Sequence, residues 1–208
     1  MPLFLFRHGE TAHNVADKFQ GHSDSNLTQL GQKQARENGR FLSRLIQQNR
    51  KIESIKIVSS PLGRTVATAH LIQQALATDT GEIQTDPRLI EMGYGHWEGL
   101  PRDDVRRQFP QQWADRSAHP DTYEIAGGGE SYQILLARVS DWMVETRHIW
   151  DVRQTVWVVI SHGGTGRAIR GRYLELDMGE MLTLDRPQDS FFELADGQVH
   201  RHTPDTAA

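Results

Sequence analysis

The chain has 208 residues, 37% apolar and 24% charged, with a formal net charge of -4. That composition suits one ordinary globular domain with no general attraction for nucleic acid or anionic membrane, so any anion-binding site has to be local. There is no cysteine, which removes disulfides, thiolate metal sites and cysteine nucleophiles and fits a reducing compartment.

The opening apolar run Leu3-Phe4-Leu5-Phe6 has strand length and stops at Arg7-His8-Gly9-Glu10-Thr11. This reads as a buried strand that delivers charged residues to a loop at its carboxyl end, where open α/β sheets place their active sites. The run is too short for a signal-peptide core, lacks a basic residue ahead of it and is broken by Arg7; no stretch approaches the length of a membrane span, so the expected location is cytoplasmic.

Helical spacing of Leu30, Phe41, Leu42, Leu45 and Ile46 predicts a helix capped at Thr28 and ending near Asn49. Residues 54–60 alternate and stop at Pro61, a strand and turn, and a helix follows from Leu62 to Ala77, broken by Asp79-Thr80-Gly81. Ile83 to Thr85 reads as a short strand. The glycines in Arg88 to Gly99 predict a shaped loop. Residues 101–129 are polar and carry no clear pattern, and Gly127-Gly128-Gly129 reads as a flexible connection, without the flanks of a nucleotide fingerprint.

The clearest helix is expected over Glu130 to Trp150, capped near Ser131, and the continuous run Val156 to Ile160 marks a central strand covered on both faces. It ends in Ser161-His162-Gly163-Gly164, the same grammar as the first strand. A last helix over Gly164 to Leu174 and a hairpin, Phe191–Leu194 with Gln198–His202 turned at Asp196-Gly197, lead to a frayed tail at 203–208. No internal repeat is evident. Alternating strands and helices predict one α/β domain over 1–208, with 88–129 as an excursion that covers the sheet and selects substrate.

Three predicted strands run into Arg7-His8, Ser60-Pro61-Leu62-Gly63-Arg64 and His162. Parallel strands side by side would gather two arginines and two histidines at one sheet edge, a phosphate cradle of guanidinium forks and imidazoles. Without cysteine or a carboxylate cluster for magnesium, the best nucleophile is a histidine nitrogen. Adjacent arginines should keep His8 neutral, with Arg7, Arg64 and His162 stabilising the transferring oxygens. Glu91 in the glycine-rich loop is the leading proton donor to the leaving alcohol, if burial and the arriving dianion raise its pKa. Singly, each of these residues is more ordinarily structural; their joint order at strand ends is what carries the reading. His200-Xaa-His202 is expected to be a solvated edge pair and not a metal site, and the five tryptophans to be packing groups, with Trp97 a candidate for the substrate mouth.

These motifs, with Ser59-Ser60-Pro61, Glu91 before Gly95-His96-Trp97-Glu98-Gly99, and Gly129-Glu130-Ser131, resemble the histidine phosphatase superfamily from Pro2 to about Leu174. The resemblance implies a three-layer α/β/α sandwich on a mixed, mostly parallel sheet. It implies His8 as phosphorylated nucleophile, Arg7, Arg64 and His162 as the remaining phosphate pocket, and Glu91 as acid then base. Asn14, Gln20, Gly21, Tyr94 and Gly163 are expected to bind phosphate or substrate, with no metal and no cofactor. The Gly-His-Trp-Glu-Gly form is phosphatase-like. The glycolytic mutases of the family have a longer insertion with a lysine and paired arginines, for which Arg102 and Arg106-Arg107 are imperfect matches, so hydrolysis of a small phosphorylated metabolite is favoured over phosphoglycerate mutation by water access. A catalytically silent phospho-ligand module is the third reading, and the oligomeric state is left open, a homodimer included.

Overall fold

In the computed structural model, residues 2–48, 52–76, 79–150 and 154–204 are described. The predicted helix ends at Asn49 and Ala77, the side chain of Trp150 and the tail beyond Pro204 lie outside them.

The chain alternates as read. Strand β1 (Leu3–Arg7) is followed by a short helix α1 (Ala12–Val15), the long helix α2 (Gln29–Gln48), β2 (Ser54–Ser59), α3 (Gly63–Leu76) and the two-residue β3 (Gln84–Thr85). Helices α4 (Arg102–Gln108), α5 (Pro110–Ala118) and α6 (Tyr132–Trp150) lead to β4 (Thr155–Ser161), then α7 (Gly163–Tyr173), α8 (Met178–Thr183) and the hairpin β5 (Phe191–Ala195) and β6 (Gln198–His202). The six strands form one sheet in the order β3-β2-β4-β1-β5-β6. The first four in that order run parallel, while β5 pairs antiparallel with β1 and β6 with β5. This is the mixed, mostly parallel α/β sheet expected. No described helix is long and apolar enough to cross a membrane.

The continuous apolar runs of β1 and β4 are explained by two cores. Leu3, Leu5, Trp157 and Val159 face a core completed by Leu135, Val139 and Trp142 of α6 and Ala168 and Ile169 of α7. Phe4, Phe6, Val156, Val158 and Ile160 face the other, completed by Leu42 of α2 and Ala69, Ile72 and Leu76 of α3. Side chains alternate across a strand, so a strand covered on both faces must be apolar at every position. Each such aliphatic side chain withdrawn from water contributes roughly 1.5–3 kcal/mol.

Residues 101–129, which showed no pattern in the sequence, contain α4 and α5. Pro110 occupies the first turn of α5, where its missing N–H costs nothing, and α4 starts directly after Pro101. Both helices are too short and too polar for a sustained apolar stripe. The triple glycine is a turn and not a flexible connection: Gly129 N–H donates to the Ile125 carbonyl, and His96 N–H to the Ala126 carbonyl. Three other expectations change in the same way. Trp97 is fully buried between Phe19 and Trp113 and so does not line a mouth. His202 is not a solvated edge residue, since it stacks on Phe191 and lies 2.7 Å from Glu193. Pro204, placed in the frayed tail, is buried.

The loop after β1 is pressed against the start of α2, backbone to backbone. Thr28 N–H donates to the Glu10 carbonyl, and a Cβ on Gly31 would sit 2.1 Å from that same carbonyl oxygen. No flexible side chain is available to yield. Gly31→Ala is therefore expected to cost about 2–3 kcal/mol by overpacking, whereas Gly166→Ala in α7, whose Cβ would meet only Leu5 Cδ2 at 3.9 Å, should be neutral or stabilise by about 0.5–1 kcal/mol. Urea unfolding of the two variants tests this, and similar midpoints for both would contradict it.

Candidate active site

Backbone pairing sets the site. His8 N–H donates to the Ser161 carbonyl at 3.0 Å and Ser60 N–H to the Ile160 carbonyl at 2.9 Å, so the carboxyl ends of β1, β4 and β2 finish level. That registry lines up His8, His162 and Ser60 along one edge of the sheet.

His8 is 3% exposed and its Nδ1 lies 2.8 Å from the Gly9 carbonyl oxygen. A carbonyl can only accept, so Nδ1 carries the proton and Nε2 keeps its lone pair. Burial, and then the charges of Arg7 and Arg64, hold the imidazole well below its ordinary pKa of 6.5. The His162 ring packs 5.3 Å away, with Nε2 2.8 Å from Ser60 Oγ and a buried Nδ1 that has no hydrogen-bond partner. Its pKa is also well below 6.5, by burial first and then by Arg64 and His8. Both imidazoles are thus neutral at pH 7.

Arg64 sits in the first turn of α3 with its guanidinium fully buried. It is caged by acceptors: Nη1 donates to the Ser23 carbonyl at 2.8 Å and to Asp24 at 3.0 Å, and Nη2 to the Gly21 carbonyl at 2.7 Å, while Nε is left unpartnered. The carbonyls are themselves held by Glu98, which accepts from the amides of Gly21, His22, Ser23 and Tyr94 and from the Ser23 hydroxyl. Burial works against the charge on Glu98, yet these hydrogen bonds hold its carboxyl below the ordinary 4.5. Sequence reasoning missed this role, because a single glutamate gives no sign of reaching a loop 75 to 77 residues away.

Arg7 Nη1 donates to the Arg186 carbonyl at 2.6 Å, and its Nε is buried without a partner. Burial, then the charge of Arg186, lowers its pKa to about 10, so it stays cationic at neutral pH. Glu91 is 6% exposed and lies against the start of α7, accepting from the amides of Gly164 at 2.9 Å, Thr165 at 3.1 Å and Met92 at 2.9 Å. A helix N-terminus is a natural seat for a carboxylate. A Cβ on Gly164 would lie 2.5 Å from Glu91 Oε1, which explains the second glycine after His162. Arg138 secures the backbone behind it, donating to the carbonyls of Arg88, Ile90 and Glu91 while pairing with Glu130 at 3.0 Å.

The structure thus brings His8, His162, Arg7, Arg64 and Glu91 to one edge of the sheet, with Gly163 against Arg7. Tyr94 is buried beside them, and burial, followed by the charge of Glu91, raises its hydroxyl pKa. Asn14 accepts from the Thr11 amide and from Gln188 Nε2, whose nitrogen also donates to the His8 carbonyl at 3.1 Å. Gln20 has both ends of its amide engaged within the loop, by Thr11 and Ser25, and Gly21 serves Arg64. Arg102 stacks on Phe19 and bonds Asp17, while Arg106 and Arg107 pair with Asp103 and Asp104 on their own helix. These three arginines are occupied locally. Among the described residues no group of three metal-ligating side chains converges.

Comparison with known proteins finds relatives along most of the chain. Phosphoserine phosphatase 1 of Hydrogenobacter thermophilus is 33% identical over 180 residues, 86% of this chain and 78% of the relative. A protein of Salmonella paratyphi C named "Probable phosphoglycerate mutase GpmB" is 36% identical over 139 residues, 67% of this chain but only 60% of the relative. The structure of a mycobacterial glucosyl-3-phosphoglycerate phosphatase, solved in complex with VO3, superposes with a TM-score of 0.76 at 25% identity, covering 99% of both chains. The family model of the histidine phosphatase superfamily, branch 1, matches residues 3–198, and the chain belongs to that superfamily.

Proposed function

We propose that the protein is a metal-independent phosphomonoesterase that hydrolyses a small phosphorylated metabolite through a phosphohistidine on His8. The observation that carries this reading is the buried, neutral His8, whose Nδ1 proton is committed to Gly9 and whose Nε2 is free, beside Arg7 and Arg64. In the first half-reaction Nε2 attacks phosphorus in line, forming an N–P bond as the ester P–O bond breaks. Arg7, Arg64 and His162 hold the equatorial oxygens, and Asn14 and Gly163 border the same pocket. Glu91 takes up a proton as the phosphate dianion arrives and passes it to the departing alkoxide. It then takes a proton from water, whose oxygen attacks the phosphohistidine and releases phosphate.

Hydrolysis is favoured over mutation because Arg102, Arg106 and Arg107, the nearest matches to mutase cations, are engaged with Asp17, Asp103 and Asp104. The similarity to a phosphoserine phosphatase over most of the chain points the same way. The mutase-named relative keeps phosphoglycerate mutation as the competing outcome: 2-phosphoglycerate formed from 3-phosphoglycerate in excess over free phosphate would favour it. Composition supports a cytoplasmic setting without nucleic acid.

With EDTA present throughout, the protein is expected to hydrolyse 4-nitrophenyl phosphate, and His8→Ala to lose at least about a hundredfold of that rate while keeping its urea midpoint, since the neighbouring imidazole, His162, has its Nε2 engaged with Ser60 Oγ. An active His8→Ala protein would refute the assignment. Glu91→Gln should lose roughly 10²-fold or more on alkyl phosphates, which need a proton donor, and far less on 4-nitrophenyl phosphate. Equal losses on both would remove Glu91 from that role. Because His8 is depressed below 6.5, the lone pair survives acidification through that pH, so the loss of kcat/KM from nucleophile protonation should appear only below 6.5; a limb at or above it would count against a neutral buried His8.

A further inference from the structure

Two arginines beside the pocket have no carboxylate partner among the described residues. Arg186 lies on the strap between α8 and β5, and that strap is anchored on both sides of it. Arg167 donates twice to the Leu184 carbonyl, Arg170 and Arg201 pair with Asp185 at 3.3 and 2.7 Å, and Gln188 reaches the His8 carbonyl. The Arg186 carbonyl is spent on Arg7, but its side chain runs free past α7, with Cδ 3.1 Å from where a Cβ on Gly163 would lie.

Arg116 comes from α5 on another wall. Its guanidinium lies 5.9 and 5.8 Å from the ring centroids of Tyr94 and Tyr132, Nη2 is 3.6 Å from Met92 Sδ, and Nη1 is buried with no partner. By contrast Arg102, Arg106 and Arg107 in the same excursion each have an aspartate. A buried guanidinium nitrogen without an acceptor is costly, and it persists where a ligand completes it. The charges of Arg116 and Arg186 both act on the Tyr94 hydroxyl, as does Glu91. If Glu91 serves the leaving group, these cations stand on the leaving-group side of phosphorus.

We propose that Arg116 and Arg186 form an anion subsite for the leaving group, so that the preferred substrates are phosphomonoesters whose alcohol carries a second negative group, a carboxylate or another phosphate. This rests on the phosphatase reading above. Neither residue is needed to hold the transferring phosphoryl, so the subsite sets selectivity.

The test uses glycerol 3-phosphate, with a neutral alcohol, against 3-phosphoglycerate and glycerol 1,3-bisphosphate, with phosphate release followed for the wild type, Arg186→Met, Arg116→Met and Arg116→Lys. The wild type is expected to favour one or both anionic substrates over glycerol 3-phosphate by about tenfold or more in kcat/KM, each methionine variant to erase about tenfold of that ratio, chiefly through KM, and the lysine variant to keep part of it. The substrate whose preference falls more identifies carboxylate or phosphate as the second anion. No preference in the wild type, or losses equal on all three substrates, would overturn the subsite. If the wild type releases phosphate from none of these nor from 4-nitrophenyl phosphate, the phosphatase reading fails instead. Calorimetry then decides the subsite: tighter binding of 3-phosphoglycerate than of glycerol 3-phosphate that is lost in Arg186→Met supports it, and equal binding refutes it.

Discussion

Cationic and imidazole nitrogen is concentrated at one sheet edge with almost no water to solvate it, and the rest of the structure is arranged to make that tolerable. Arg64 is 2% exposed and His8 and His162 are 3% and 1% exposed. Leaving such charge unpaired in a dry interior would cost several kcal/mol per group. The chain meets this in three ways: the imidazoles give up their charge, the guanidiniums are surrounded by carbonyl dipoles, and two carboxylates are brought in, Asp24 on Arg64 and Glu91 on a helix N-terminus. At this edge Nε of Arg7 and Arg64 and Nδ1 of His162 stay unpartnered, and these are residues proposed to hold phosphate. Solvation is thus withheld where a phosphoryl group can supply it.

Rigidity behind the site follows from a hierarchy of hydrogen bonds. Glu98 orders the loop at Gly21 to Ser23, the loop's carbonyls orient Arg64, and Asp24 ties the same loop to the start of α3. Arg138 does the corresponding work behind Glu91, and the strap at Leu184 to Gln188 does it behind Arg7 and His8. A pocket held on backbone amides and carbonyls is preorganised, with little reorganisation left for the moment of reaction. Such supports are strong because their donors and acceptors are buried and each has few alternatives.

Much of this was readable from residue order. The apolar runs of β1 and β4 announce strands covered on both faces, and residues that interrupt such runs are placed at a sheet edge by the pleat itself; hence Arg7, His8 and His162 could be named. The supports behind them were not readable. Glu98, Arg138, Asp24 and Gln188 act across long stretches of chain on backbone groups, and a backbone amide leaves no mark in a sequence. Helices α4 and α5 were missed because they are short, polar and begin at or beside proline, so neither periodicity nor propensity singles them out. Arg102, Arg106 and Arg107 looked available as substrate cations, yet partners on or near their own helices occupy them.

What the sequence determined by itself was the layer pattern and the edge of the sheet where Arg7, His8 and His162 gather, because hydrophobic periodicity and strand termination are local properties of the chain. What only the tertiary structure decided was which charges remain unpaired and which way they face. That depends on distances between segments far apart in sequence, and it is why Arg116 and Arg186 emerged without a carboxylate among the described residues while the arginines nearer to expectation are each paired with an aspartate.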